Sequence, residues 1–290
     1  MLRIWNQAMA MLDDHDADEL AFLRDEVKRL RRTLNELTPS LDMLLKRRGF
    51  RVYKKEPPYD LLIPDENFRD GFYTALHKYS FRLFLRDTIK RQDGFALEEV
   101  TRYSTPRVIR SYLGYLRDIR MIREGAAGYI LSRRPITSFG PTLEWYVAEL
   151  LKREFGADTL WGVKFRRPNV GGDYDVLAKL DGSLLYVEVK SSPPKQVTDS
   201  EIAAFLDRVQ DLSPELSVFL MDTELRMKDK LVPMFEQALA KRSSDPPAVV
   251  RIERELFSVR DRLFIVNAKE SISRNLEKAI GRYIQGRSGQ

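Results

Sequence analysis

The residues able to do chemistry gather between Gly140 and Lys190. Two alternating runs, Asp173-Tyr-Asp-Val-Leu-Ala-Lys-Leu180 and Ser183-Leu-Leu-Tyr-Val-Glu-Val-Lys190, flank Asp181-Gly182. Asp-Gly between two such runs is among the strongest short-range signals of a β-hairpin. With 181 and 182 as the loop residues, Leu180 faces Ser183. One face of the hairpin then pairs Tyr174 with Val189, Val176 with Val187 and Ala178 with Leu185, apolar throughout. The other pairs Asp175 with Glu188 and Asp173 with Lys190. Directly opposed side chains have Cβ atoms ~4.5–5.5 Å apart, and like charges there destabilise a sheet. Asp175 opposite Glu188 is therefore a local cost, and a divalent cation reverses its sign. Two carboxylates at that separation suit a hard ion such as Mg²⁺, which prefers oxygen ligands and keeps several waters. The Lys190 ammonium lies on the same face, within reach of the same volume.

The flanking pattern supplies the elements that must position these groups. Gly140-Pro141-Thr142 opens a helix running to about Arg153, Thr159 to Arg166 reads as a strand and Arg167 to Gly172 as a loop. After the hairpin come a helix from Asp199 to Val209 and a strand from Leu216 to Met221. Asp175 followed by Glu188-Val189-Lys190 at a strand end, in this setting, resembles the signature of the PD-(D/E)XK nuclease superfamily. The resemblance implies an α/β fold with a restriction-endonuclease-like αβββαβ core over residues 140–222, in a nuclease domain spanning 138–290. It also implies a divalent-metal-dependent endonuclease that hydrolyses phosphodiester bonds, with Mg²⁺ as cofactor and Mn²⁺ able to substitute. Asp175, Glu188 and the backbone carbonyl of Val189 would hold the metal, and Lys190 would position or polarise the attacking water. Glu144 is a further candidate, because members often supply an acid from the first helix; it shares a helix face with Val147, Ala148 and Leu151. The other reading of Glu144 is a first-turn glutamate favoured by the helix dipole. Gln196 resembles a glutamine that some members carry. No proline directly precedes Asp175, and Asp173 stands as the alternative ligand.

A second signal lies upstream. Within a domain spanning 67–135, Phe95 to Tyr103 reads as a short helix, followed by a turn, a longer helix from Arg107 to Arg120 and two short strands over 121–131, which resembles a winged helix-turn-helix in order. Ser104-Thr105-Pro106 is a helix start, with proline suited to the first helical position. From Arg102 to Arg134 there are eight arginines against Asp118 and Glu124. Arginine holds phosphate through a planar fork and can read guanine in the major groove. Arg107, Arg110 and Arg117, on the polar face of the long helix, with Arg133 and Arg134 beyond the strands, are the expected DNA contacts. A solvated charged face is the other reading.

The N-terminal region, 1–66, carries Leu20, Leu23, Val27, Leu30, Leu34 and Leu37, a heptad seam over fewer than three heptads. The seam either packs on its own chain or pairs with a second copy. A new helix resumes at Leu41 after Thr38-Pro39-Ser40, and Lys54 to Pro64 reads as a loop. Residues 71–91 read as one aromatic-rich helix that includes His77. Beyond the core, a helix from Leu225 to Ala240, strands including Leu263 to Val266 and a last helix from Ile272 to Ile284 are expected to extend or cover the sheet.

Composition narrows the classes. The chain has 290 residues, enough for about two domains. It has no cysteine, which excludes thiol nucleophiles, disulfide frameworks and thiolate metal sites. With only two histidines, His15 and His77, far apart, most imidazole-based catalysis is disfavoured. The net charge of +6 is compatible with nucleic acid without being diagnostic. No apolar run approaches the ~18 residues of a membrane span, and the N-terminus does not read as a secretory signal. The expectation is an intracellular, nucleoid-associated protein. Two other functions fit the same residues: a DNA-binding regulatory or assembly protein with a non-catalytic nuclease-like domain, and an RNA-processing nuclease, since the chemistry does not distinguish the sugars.

Overall fold

The computed structural model describes residues 19, 22–30, 33, 38–54, 60–100, 102–125, 128–166 and 171–287. The alternating apolar runs pair into one eight-stranded sheet, ordered β1 (Val52–Lys54), β4 (Asp158–Phe165), β5 (Tyr174–Leu180), β6 (Ser183–Lys190), β7 (Leu216–Met221), β10 (Leu263–Asn267), β9 (Leu256–Val259) and β8 (Val250–Glu253). It is mostly antiparallel; β6–β7 and β7–β10 are the parallel pairs. The Asp181-Gly182 turn forms as expected, both residues at positive φ (47° and 77°), the geometry that matches strand twist in a two-residue hairpin.

The central strands are apolar on both sides because both sheet faces are covered. Val176, Val187, Val218 and Val266 pack under α6 (Gly140–Phe155) and α9 (Ile272–Arg287). Leu177, Tyr186, Phe219 and Ile265 pack under α7 (Asp199–Leu212) and α8 (Leu231–Ala240). The fold is α/β. No helix among the described residues is long and apolar enough to cross a membrane.

The segment before α6 folds from α3 (Arg69–Leu76), α4 (Tyr79–Lys90), a 3₁₀ turn at Leu97–Val100, α5 (Pro106–Asp118) and the hairpin β2 (Ile122–Gly125)–β3 (Gly128–Leu131). Phe95 adds a one-residue bridge to Tyr129 of β3. Thr105 caps α5 by accepting the Val108 N–H. Its apolar side joins the same hydrophobic cluster as the sheet, through Ile109, Leu113 and Leu116.

Three sequence expectations change. Residues 71–91 form two helices, not one. Lys78 is extended (φ −80°, ψ 116°), and the Arg82 guanidinium donates to the carbonyls of Leu76 and His77 that the break exposes, at 2.5 and 3.2 Å. The helix expected from Leu225 begins at Leu231, because the preceding backbone is pinned elsewhere. Met227 N–H donates to Glu255 Oε2 at 2.7 Å, and the Leu225 carbonyl accepts from Asn267 Nδ2 at 3.2 Å. In α1 (residues 22–30), the seam residues Leu23, Val27 and Leu30 are 45–56% exposed, so this part of the heptad seam does not pack on its own chain. Leu20, Leu34 and Leu37 lie outside the described residues.

One buried ion cluster ties the upstream helices to the sheet. Asp222, directly after β7 and fully buried, accepts from Arg82 Nε at 2.9 Å and from Arg86 Nη2. Arg82 is 1% exposed. The Asp222 N–H donates to the Lys190 carbonyl at 2.8 Å, so the cluster abuts the end of β6. Removing one partner of such a cluster leaves buried charge uncompensated, at about 3–5 kcal/mol. Asp222→Ala should therefore lose about that much stability in a urea titration; a loss within experimental error would show that the two arginines find other partners.

Candidate functional site

The expected hairpin register holds from Leu180↔Ser183 to Val176↔Val187 and stops there. Had it continued, Val189 N–H would bond to the Tyr174 carbonyl. Instead it donates to Asp175 Oδ2 at 2.7 Å. A side chain has replaced a ladder carbonyl, and β5 turns. Tyr174 accordingly leaves the face of Val176 and stacks with Phe165 and Tyr186 in the opposite cluster. None of the expected ladder pairs beyond Val176–Val187 forms: not Asp175–Glu188, Tyr174–Val189 or Asp173–Lys190. Asp173 meets Lys164 of β4 instead, at 2.9 Å.

Glu188 and Lys190 project from β6 toward α7. Lys190 Nζ is 2.9 Å from Glu188 Oε1 and 3.4 Å from Glu201 Oε1. Glu201 is held by the α7 capping box, its carboxylate accepting the Thr198 N–H at 2.9 Å. Glu188 is only 2% exposed. It is held by two residues not anticipated from the sequence. Arg208 Nη2 donates to both its oxygens at 2.8 Å, and the Tyr186 hydroxyl donates to Oε2. Arg208 Nε donates to the Tyr186 oxygen at 2.8 Å and closes the triangle. Room for the guanidinium depends on Gly172. A Cβ there would sit 3.1 Å from Arg208 Nη1, and its φ of +105° disfavours any side chain. Arg208 was detectable in principle: it lies three residues after Phe205 and four before Leu212, a charge on the buried stripe of an amphipathic helix. Arg82, three residues before Leu85 and seven before Ile89, carries the same signature.

Glu144, in the first turns of α6, completes the group. Burial and the charges of Asp173 and Glu188 push its carboxyl up to about 7, against the pull of Lys190. Burial, then Glu188 and Glu144, hold Asp175 well above the usual carboxylate range, against the Val189 N–H and Lys190. Burial pulls Lys190 down, but Glu188, Asp175 and Glu201 outweigh it and raise it. Asp175, Glu188, Lys190 and Glu144 are thus brought together, with the Val189 peptide beside them. Gln196 is exposed in a 3₁₀ turn (Pro194–Gln196).

No group of three or more Asp, Glu or His side chains among the described residues is spaced to hold a metal ion by itself. Mg²⁺ asks less than that: one or two carboxylates, with water and substrate oxygens filling the octahedron. Asp175 has one oxygen outside its bond to Val189. Backbone N–H and C=O of one strand residue point to the same edge, so the Val189 carbonyl also faces Asp175. With Glu188 Oε1, this donor set fits a hard, oxygen-seeking ion.

Away from this site, Arg107, Arg110 and Arg117 are exposed on α5 and have no ion pair among the described residues. Arg133 is exposed after β3, and Arg134 pairs with Asp93 at 2.9 Å.

Comparison with known proteins gives only distant structural similarities at low identity. No family model and no curated protein matches the chain. Among solved structures, it is similar to Can2 from Sulfobacillus thermosulfidooxidans in complex with cyclic tetra-adenylate, at 16% identity and a TM-score of 0.48, over 83% of this chain and 60% of that one. It is also similar to protein VC1899 from Vibrio cholerae, at 14% identity and a TM-score of 0.43, over 66% of this chain and 54% of that one. The chain therefore spans little more than half the length of either.

The crowded acids set a pH dependence. With a folded pKa of about 7 against 4.5 unfolded, Glu144 keeps its proton in the folded state while the unfolded chain loses it. Stability then falls as pH rises from about 4.5 to about 7 and levels off above. Glu144→Gln removes that cost. In EDTA, its melting temperature should exceed the wild type's at pH 8 and match it near pH 4.5, as calorimetry at the two pH values would read. An equal shift at both would show that repulsion is not the cause.

Proposed function

We propose that this chain is a divalent-metal-dependent endonuclease acting on DNA, with α6–β4–β5–β6–α7–β7 as its PD-(D/E)XK-like core. The observation that carries the reading is the end of the β5–β6 hairpin. There the ladder gives way so that Asp175 takes the Val189 N–H, while Glu188 and Lys190 stand 2.9 Å apart beside it.

In this reading Asp175, Glu188 and the Val189 carbonyl hold the metal. When bound, Mg²⁺ lowers the pKa of a coordinated water and offsets charge on the phosphate. Lys190 does the work assigned to this chain's own residues. Its ammonium, kept protonated by the surrounding carboxylates, directs N–H bonds at the attacking water and the phosphate oxygens, where negative charge grows in the transition state. Glu144, which holds a proton until about pH 7, is placed to exchange one with that water. Asp173, engaged by Lys164, is the less suitable ligand.

The segment from α4 to β3 is read as a winged helix that grips the duplex. Its order of helix, bridge, turn, helix and hairpin supports this, as do Arg107, Arg110 and Arg117 on the outer face of α5. A homodimer through the 20–37 seam, whose described apolar residues are exposed, would present two such sites to the two strands.

The test is cleavage of supercoiled plasmid, linear duplex, a branched junction, single-stranded DNA and RNA with Mg²⁺ or Mn²⁺. EDTA should abolish cutting, and Asp175→Ala and Lys190→Ala should each reduce it by ~10²–10³-fold. Preference for RNA would redirect the reading to RNA processing. One observation favours a second reading, a DNA-binding protein with a silent nuclease-like domain: Glu188 is engaged by Arg208, Tyr186 and Lys190 at once. Binding without cleavage on every substrate, unchanged in both variants, would establish it.

The arginine face makes its own prediction. Alanine at Arg107, Arg110 or Arg117 should weaken duplex binding across sequences and lower the salt slope of log K by about 1 for each lost phosphate contact. An unchanged slope in the triple variant would place DNA elsewhere on the molecule.

A further inference from the structure

A carboxylate offers about four lone-pair positions, and at Glu188 all are engaged. Oε1 meets Arg208 Nη2 at 2.8 Å and Lys190 Nζ at 2.9 Å. Oε2 meets Arg208 Nη2 at 2.8 Å and the Tyr186 hydroxyl. The two sides differ in what can move. Arg208 is 8% exposed and Tyr186 fully buried, and they are bonded to each other at 2.8 Å. Withdrawing Arg208 would leave a buried guanidinium without its carboxylate and strip Oε2 of its charged partner. Lys190 is different: its side chain is 20% exposed and has a second carboxylate, Glu201, at 3.4 Å to swing toward. Glu188 can therefore turn only Oε1 toward an ion, and only in exchange for Lys190. Oε2 stays between Arg208 and Tyr186.

Charge points the same way. Asp173 is already matched by Lys164. Counted fully ionised, Glu144, Asp175, Glu188 and Glu201 stand against Lys190 and Arg208, two negative charges over. One divalent ion balances this excess. A second ion would leave a large positive excess in a buried site, and no free oxygen of Glu188 to bridge to it.

Resting on the nuclease reading, we propose that Arg208 is a positioning residue standing where a second cation would otherwise be needed, so that the site takes one divalent ion, on Asp175 and Glu188 Oε1. Arg208 acts through Glu188: it fixes the carboxylate plane and presents Oε1. Tyr186 locks the guanidinium, and Gly172 leaves the space for it.

The test counts ions on the full-length chain without nucleic acid, titrating Mn²⁺ by electron paramagnetic resonance and Mg²⁺ by calorimetry. The expected result is one ion per chain, lost in Asp175→Ala. Two ions per chain, both lost in that variant, would overturn this proposal and leave the nuclease reading standing. No bound ion together with no cleavage would overturn both. Arg208→Gln should weaken Mn²⁺ binding by ~10–100-fold, as loss of a partner that orients a ligand does. It should lower kcat while leaving KM for DNA unchanged, and Arg208→Lys should recover part of both. If Arg208→Gln fails to fold, the lysine variant still reads the effect, because it keeps the charge and loses the two-point fork. Wild-type ion affinity and kcat in both variants would show that Arg208 only packs, and the proposal would fall.

Discussion

Burying charge at the end of a sheet is costly, and the arrangement of this protein follows from how that cost is met. Glu188 sits on a strand that is buried from Ser183 to Val189 and whose faces are both covered by helices. An unpaired carboxylate there would carry a large desolvation cost. Arg208 pairs with it, and much else adjusts to Arg208: Tyr186 gives up its hydroxyl to the pair, Gly172 gives up a side chain, and α7 accepts a charge on its buried stripe. The same logic recurs after β7, where Asp222 holds Arg82 and Arg86. There the result is mechanical, because the cluster joins α4 to the strand end through the Lys190 carbonyl. Two buried ion clusters thus lie on either side of Lys190. One orients the acid beside it, and the other anchors its backbone to α4.

How much of this could be read in advance depended on whether the signal was local. The hairpin was available because Asp181-Gly182 dictates a two-residue turn, and the turn dictates register. α5 was available because Thr105 and Pro106 mark its start. Asp175, Glu188 and Lys190 were singled out by the expected opposition of two acids on the hairpin and Glu144 by the family resemblance, while the ladder itself ends one pair before Asp175 and Glu188 would meet. What was missed depended on distant partners. Period-two alternation placed Tyr174 with Val176, and could not foresee that a carboxylate would take the place of a ladder carbonyl one residue later. The break at Lys78 goes with Arg82, which Asp222 holds from far along the chain, and the late start of α8 with Glu255 and Asn267. Arg208 and Arg82 were visible only as charges on an apolar helix stripe, a pattern that names a buried partner without saying which.

The choice between a working and a silent site turns on what the remaining acids are for. A structural ion pair explains Glu188 with Arg208, and Lys164 explains Asp173. Neither explains Glu144 or Asp175. Asp175 spends one oxygen on a peptide N–H that an undistorted ladder would have satisfied anyway, so its presence disrupts pairing where continued pairing was available. Both Glu144 and Asp175 are held above their ordinary range, first by burial and then by the carboxylates around them. Groups that destabilise the fold and satisfy no partner within it concentrate at functional sites, where a ligand offsets the cost. A positively charged ligand with a preference for oxygen is the class that removes this particular cost. For that reason the acids around Asp175 favour a catalytic metal site over a surface hairpin that merely alternates.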